Sequence, residues 1–212
     1  MYTLNWKAAG APCLVIGGGH VALRKIRGLL LEGAAVTVLA PEAAAEIQAL
    51  AAEKKITFLP RRYAPGDEAG YDLVVTACGV RAAAESVHQA MKEKGFLYNG
   101  ADFPELGNCM IPAKIRRGSL SITLSTEGKS PAFSRYLKEW LASRIPENFG
   151  DWLDRVAALR EEAKHRIRTS EEREQFWRTA LSGKAAELAC QGRFEEAEEI
   201  IRHAMGSFGA QS

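Results

Sequence analysis

Pro12-Cys13-Leu14-Val15-Ile16-Gly17-Gly18-Gly19-His20-Val21-Ala22 is the stretch whose reading decides the fold. Residues 12–16 form an unbroken apolar run, the pattern of a strand buried on both faces. Beyond the glycines, Leu23, Ile26 and Leu30 recur at helical spacing. Strand, glycine turn and helix, in that order, give the context that a dinucleotide fingerprint requires. Gly17 would allow the tight turn, and Gly19 would let the backbone approach a pyrophosphate. Ala22 stands where the third glycine would, and permits close helix–strand packing. The amides of Gly18, His20 and Val21 fall at the helix N-terminus, where unpaired N–H groups and the positive dipole end suit phosphate. The competing reading is a glycine turn with a purely structural use.

Working outward, the pattern repeats. Gly33 stops the first helix, and 35–39 is a second apolar strand ending at Ala40-Pro41-Glu42. A dinucleotide fold places its ribose-binding acid about 20 residues past the glycines. Here Ala40 stands at the strand end and Glu42 is the nearest carboxylate, so Pro41 and Glu42 are the candidates for the adenosine ribose. Glu42 reads equally well as a first-turn acid of the next helix. No Arg or Lys follows until Lys54, which favours NAD over NADP. A short helix around 46–50 leads to a third strand, 56–59, with Arg61-Arg62-Tyr63 as a solvated edge. Residues 73–77 form a fourth buried strand, whose end, Thr76-Ala77-Cys78, is expected to line the cofactor. A helix over 82–94 closes at Gly95, with His88 as a surface or packing residue, and 96–98 is a fifth strand. This alternation predicts a Rossmann-like, doubly wound parallel sheet. The loop after the fifth strand carries Asp102, readable as an Asx-turn residue or as a carboxylate near a nicotinamide ring.

The pattern then changes. Residues 110–115 and 120–125 read as two strands about a basic turn, Arg116-Arg117-Gly118. Gly128-Lys129-Ser130 resembles the end of a P-loop, but Thr123 occupies the position of the first required glycine. Ser130 as N-cap and Pro131 as first helical residue predict a helix over 133–143. Beyond Pro146, Trp152, Val156, Leu159, Ala163 and Ile167 mark one apolar helical face. Thr169 and Glu172 predict a capping box. Two further helices flank Gly192, the last with Phe194, Ala197, Ile200 and Ile201 as its apolar face.

Composition narrows the function classes. The chain has 212 residues, 47% hydrophobic and 25% charged, and a net charge of +2. That balance is ordinary for a globular protein and gives no general argument for nucleic acid. No apolar run reaches the roughly 18 residues that span a bilayer. Residues 1–7 lack the charged and apolar regions of a signal peptide, so a cytoplasmic protein is expected. Cys13, Cys78, Cys109 and Cys190 show no C-x-x-C spacing and only four histidines are present, so no metal site is predicted.

These segments together resemble the precorrin-2 dehydrogenase family, the dehydrogenase/ferrochelatase module of sirohaem synthesis. The resemblance is carried by 14–22 with Arg24-Lys25, by 36–42, by Asn99-Gly100-Ala101-Asp102 and by Ile111-Pro112-Ala113. It continues through 125–132 and Arg173-Glu174-Gln175-Phe176-Trp177, and covers essentially the whole chain. It implies an NAD-binding domain over 1–112, a small α+β dimerisation segment over 113–147 and a helical domain over 148–212. It implies NAD-dependent oxidation of precorrin-2 to sirohydrochlorin by a homodimer, with Asp102 as the catalytic residue, and leaves iron insertion open. The chain resembles the stand-alone form, ending where fused members continue into a methyltransferase. Arg116, Arg117 and Lys129 are candidate partners for the carboxylates of the substrate, with solvated surface cations as the competing reading. Two departures stand out. Phe103 sits where the family often has a second acid, and Cys78-Gly79-Val80 replaces a usual Thr-Asp-Asp. A non-catalytic NAD sensor and a pure tetrapyrrole chelatase are the competing functions.

Overall fold

The computed structural model describes residues 1–208, in two compact units that divide at Ile111 and Pro112. The first unit holds strands β1 (Pro12–Ile16), β2 (Ala35–Leu39), β3 (Thr57–Leu59), β4 (Leu73–Thr76) and β5 (Leu97–Gly100). They form one parallel sheet in the order β3-β2-β1-β4-β5. Helix α1 (His20–Leu31) links β1 to β2, α2 (Ala45–Ala52) links β2 to β3, and α3 (Arg81–Lys94) links β4 to β5.

The unbroken apolar strands are explained by burial on both faces. Cys13, Val15, Val36, Val38, Leu73 and Val75 form one core with Ala22, Leu23, Ile26 and Leu29 of α1 and Ile47 of α2. The alternate residues Leu14, Ile16, Leu39, Val74 and Tyr98 face the other way, against Val87 of α3. The chain moves outward from β1 to β2 and β3, then crosses back to β4. The sheet therefore has its switch point between β1 and β4, where ligands of such sheets bind.

The link from β3 to β4 contains no helix. Arg61 makes a bidentate pair with Asp67 at 2.7 Å to each oxygen. The Tyr63 hydroxyl donates to Glu68, which also accepts from Lys94. Arg61-Arg62-Tyr63 is thus not simply a solvated edge, because Tyr63 is half-buried and bonded. Beyond β5 a short 3-10 turn (Pro104–Leu106) leads into 107–109, which runs along the open edge of the sheet. Asn108 accepts from the Tyr98 amide at 2.7 Å and donates to Phe96 O, imitating a neighbouring strand. Covering the edge in this way removes a template for unwanted pairing.

The second unit begins with the antiparallel hairpin β6 (Ala113–Arg117) and β7 (Leu120–Leu124). Its turn is the two residues Gly118-Ser119, with Gly118 at φ +58°. Arg116 and Arg117 therefore lie in the strand, not in the turn. A two-residue hairpin needs positive φ, which glycine supplies, and the ladder then runs to the Arg117–Leu120 pair. Helix α4 (Pro131–Ala142) starts at Ser130, whose hydroxyl accepts from the Phe133 amide. Then come α5 (Phe149–Arg166), α6 (Ser170–Ala180), α7 (Lys184–Cys190) and α8 (Phe194–Phe208). Both halves of the Thr169–Glu172 capping box form. Trp152, Leu159, Phe176, Leu188, Phe194, Ala197 and Ile201 share one core, whereas Ile200 is 37% exposed and lies off the apolar stripe. Among the described residues no helix is long and apolar enough to cross a membrane.

Candidate cofactor and active site

The site is built from loops at the carboxyl ends of β1, β2, β4 and β5. Gly17 leaves β1 with φ +138°, and its amide donates to Leu39 O of β2 at 2.9 Å. A Cβ on Gly17 would stand 2.2 Å from Ala77 O, in the loop after β4. A Cβ on Gly18 would stand 2.0 Å from Glu42 O, in the loop after β2, and Gly18 O accepts from the Ala44 amide. The middle glycine, a variable position in the fingerprint, is thus the one the Pro41–Ala44 crossing demands. A Cβ on Gly19 would meet nothing within 4 Å. Gly19 is the N-cap of α1 and has no side chain to satisfy the first helical amides. His20 and Val21 are exposed at that end, while Ala22 is fully buried against the sheet. Space in front of Gly19, bare amides and the positive helix end make a cradle that fits a pyrophosphate.

Glu42 is exposed in the loop, and α2 starts only at Ala45 with Glu46 as its first-turn acid. The first-turn reading of Glu42 therefore fails; its backbone carbonyl lies against Gly18, and its side chain is exposed. Pairing of β2 with β3 brings the Arg61 backbone to the β2 end. Ala40 donates its amide to Leu59 O, which also accepts from the Arg61 amide. The Arg61 guanidinium is held by Asp67. Arg62 beside it is exposed.

The three residues expected from β4 behave differently. Thr76 is buried, its hydroxyl 2.9 Å from the Tyr98 hydroxyl. Tyr98 in turn donates to Ala84 O, so Thr76 is the donor to Tyr98. Thr76 O accepts from the Ala101 amide. The side chain of Thr76 thus belongs to the core under α3. Ala77 presents its carbonyl to the glycine turn, and Cys78 is half-buried next to it.

Asp102 is exposed in the loop after β5, and its Oδ2 accepts from the Gly79 amide at 2.6 Å. Such a short, charge-assisted bond ties the β5 loop to the β4 loop. Among the described residues Oδ1 has no protein partner. Gly79 needs its left-handed φ of +67° to turn that amide toward Asp102. Phe103 lies under the Arg81 guanidinium at 5.2 Å, and Arg81 also pairs with Glu105 at 3.2 Å. The aromatic ring that replaces a second acid thus pins the Asp102 loop to the start of α3. Arg81 does not stand out in the sequence, and Gly79 does so only within the Cys78-Gly79-Val80 departure. A glycine three residues past the end of β4, followed by a cation, is the signal for this tie. His88 donates from Nδ1 to Leu106 O at 2.6 Å and so anchors the 3-10 turn.

Arg116, Arg117 and Lys129 belong to the second unit. Arg116 is exposed, with Nε donating to Gly118 O, and Arg117 donates to Ile145 O. Lys129 is exposed, in a turn where Glu127 and Gly128 both take positive φ. No group of three or more His, Cys, Asp or Glu among the described residues could hold a metal ion.

Sheet order, switch point and glycine cradle define a dinucleotide-binding protein. Residues 4–113 match the family described as putative NAD(P)-binding, residues 117–144 the central region of sirohaem biosynthesis proteins, and residues 148–205 the sirohaem synthase dimerisation region. The chain belongs to this NAD(P)-binding family of sirohaem biosynthesis. It is 38% identical to the siroheme synthase of Methylococcus capsulatus over 97% of its own length, and 32% identical to that of a Psychrobacter species over 95%. It spans less than half of those relatives, 43% and 41% respectively. A solved structure titled SirC, precorrin-2 dehydrogenase, superposes with a TM-score of 0.72 at 32% identity, covering 94% of this chain and 99% of that one.

Proposed function

We propose that this protein oxidises precorrin-2 to sirohydrochlorin with NAD, as a step of sirohaem synthesis. The observation that carries this reading is the Asp102–Gly79 bond. It ties the Asp102 carboxylate to the loop after β4, whose Ala77 carbonyl abuts the glycine turn, in a chain that aligns with nearly all of a precorrin-2 dehydrogenase. In the oxidation the macrocycle loses one hydride and one proton. Bound NAD supplies the hydride acceptor. The amides of Gly18, His20 and Val21, with Gly17, Gly19 and Ala22 shaping the turn, hold the pyrophosphate. Pro41 and Glu42 meet the adenosine ribose, and Ala77 and Cys78 wall the nicotinamide side. Thr76 contributes there only by fixing Tyr98 and the strand end. Asp102 keeps Oδ2 on Gly79, and Oδ1 takes the proton as general base. Arg116, Arg117 and Lys129 pair with substrate carboxylates.

The reading extends to organisation. Residues 1–112 serve as the cofactor domain, 113–147 as a dimer-forming segment and 148–212 as the helical domain of a cytoplasmic homodimer. Four unpaired cysteines are consistent with a reducing compartment.

The test is direct. Purified protein mixed with precorrin-2 and NAD produces NADH absorbance at the rate at which sirohydrochlorin appears, and binds NAD more tightly than NADP by calorimetry. Cofactor binding without turnover would make the protein an NAD sensor. Tighter NADP would assign Arg62 to a 2′-phosphate.

A further inference from the structure

We propose that the basic cleft between α5 and α6 is a second ligand site, one that binds a planar polycarboxylate, and that its occupant is the tetrapyrrole product. The identity of the occupant rests on the function proposed above. The cleft has a volume of about 440 Å³, within the range of small-molecule sites. Arg160 and Lys164 line it from α5, and Arg173, Trp177 and Arg178 from α6, with Glu174 as the one carboxylate. Four cations against one acid is a local concentration in a chain whose net charge is only +2.

The pairing of these cations sets them apart from the rest of the helical unit. On the α5–α8 side the arginines are neutralised. Arg155 pairs with Glu195 and Glu198, and Arg202 with Glu162 and Glu198. In the cleft, neither Arg160 nor Arg178 has a carboxylate within ion-pair distance among the described residues. Lys164 meets only the exposed Glu161 of its own helix. The Arg173 Nη1 donates at 2.8 Å to Ile167 O and Arg168 O. Those neutral partners hold the side chain in place without cancelling its charge. A fixed guanidinium with donors to spare is the group that takes a carboxylate in bidentate fashion.

Trp177 supplies the apolar part. Its indole is half-buried and braced edge-on by Phe176 at 5.0 Å. A rigid aromatic face beside fixed cations matches a flat conjugated ring that carries acid groups at its rim. The open cleft takes one edge of such a macrocycle and leaves the remainder outside.

Uroporphyrin, a stable octacarboxylate macrocycle, is the probe. The full-length protein is titrated with it by tryptophan quenching and calorimetry, beside the variant Arg160→Gln/Lys164→Gln/Arg178→Gln. These three side chains are exposed and support no core contact, so the variant should fold, and circular dichroism checks that it does. The expected result is a loss of one bound uroporphyrin per chain, with affinity at that site down by at least ~10-fold at low salt, and a gap from wild type that narrows in high salt as the cations are screened. Precorrin-2 oxidation by the same variant keeps its kcat. Trp177→Phe weakens binding less than the triple variant does. Unchanged stoichiometry and affinity overturn the site. Preference of the same residues for a single-stranded oligonucleotide over uroporphyrin also overturns it, and points to nucleic acid instead. If the wild-type protein fails to oxidise precorrin-2, the assignment of the occupant falls, while the uroporphyrin titration still decides whether the cleft takes polycarboxylates.

Discussion

Asp102 accepts from the Gly79 amide with one carboxylate oxygen and keeps the other without a partner among the described residues. This division makes Asp102→Asn an informative substitution. The amide oxygen of Asn can still accept from Gly79, so the loop is retained, but Asn cannot take a proton. Precorrin-2 oxidation should fall by about 10²–10⁴-fold, with NAD affinity nearly unchanged, in steady-state kinetics and calorimetry on one preparation. Near-wild-type turnover would leave Asp102 as a loop tie only. The glycines can be separated in the same way. Gly18→Ala drives a methyl to 2.0 Å from Glu42 O, where backbone must move, so melting temperature and NAD affinity should both drop. Gly19→Ala meets nothing in the protein, so its melting temperature should hold while NAD affinity falls. Equal NAD affinity in Gly19→Ala and wild type would remove the cradle from the cofactor site.

At the scale of elements, the β3–β4 link does with side chains what a helix does elsewhere in the sheet. Glu68 is almost fully buried and accepts from Tyr63, Lys94 and the Gly66 amide. Burial pushes its carboxyl up, but hydrogen bonds from its own amide, Lys94, Tyr63 and Gly66 outweigh that, and the result lies below the ordinary carboxylate range. Burial likewise pushes the Tyr63 hydroxyl up to about 12, so it remains a donor at neutral pH. A depressed carboxyl contributes stability above its unfolded pKa, near 4.3, and loses it as pH falls through the folded value. Glu68→Gln should therefore cost about 1–3 kcal/mol at pH 7. In urea unfolding the gap between variant and wild type should stay constant from pH 7 to about 5 and narrow below about 4. A gap that widens in acid would contradict the network.

At the scale of the whole molecule, α4 has no buried residue and shows Phe133, Tyr136 and Trp140 to solvent at 52%, 58% and 42% exposure. Phe133 and Tyr136 stack at 6.3 Å, and Arg144 lies over Trp140 at 3.7 Å. A continuous aromatic face on a helix beside a two-stranded hairpin calls for a partner surface. The chain is expected to sediment as a dimer at micromolar concentration, and Phe133→Asp/Tyr136→Asp to shift it toward monomer. A dimer that survives this change would move the interface to the helices of 148–205, the stretch that matches the sirohaem synthase dimerisation region.

The sequence by itself determined the parallel sheet, the glycine turn, the Ser130 cap, the Thr169–Glu172 box and the family. Each of these is written in local spacing: apolar runs, helical periods, and cap residues three apart. Asp102 was legible as a candidate because a strand end places it. Tertiary structure alone decided which groups meet at the site. Gly18 is required by Glu42, Gly17 by Ala77, and Asp102 is held by Gly79; each pair joins loops far apart in the chain. Thr76 looks like a cofactor residue from its place on β4, but the Tyr98 hydroxyl on the adjacent strand β5 claims it for the core. Strand pairing, not chain distance, brings the Arg61 backbone to the β2 end through Leu59 O. Side-chain contacts across a parallel sheet have no short-range spacing to reveal them, and they form only when the crossover helices bring the strand ends together.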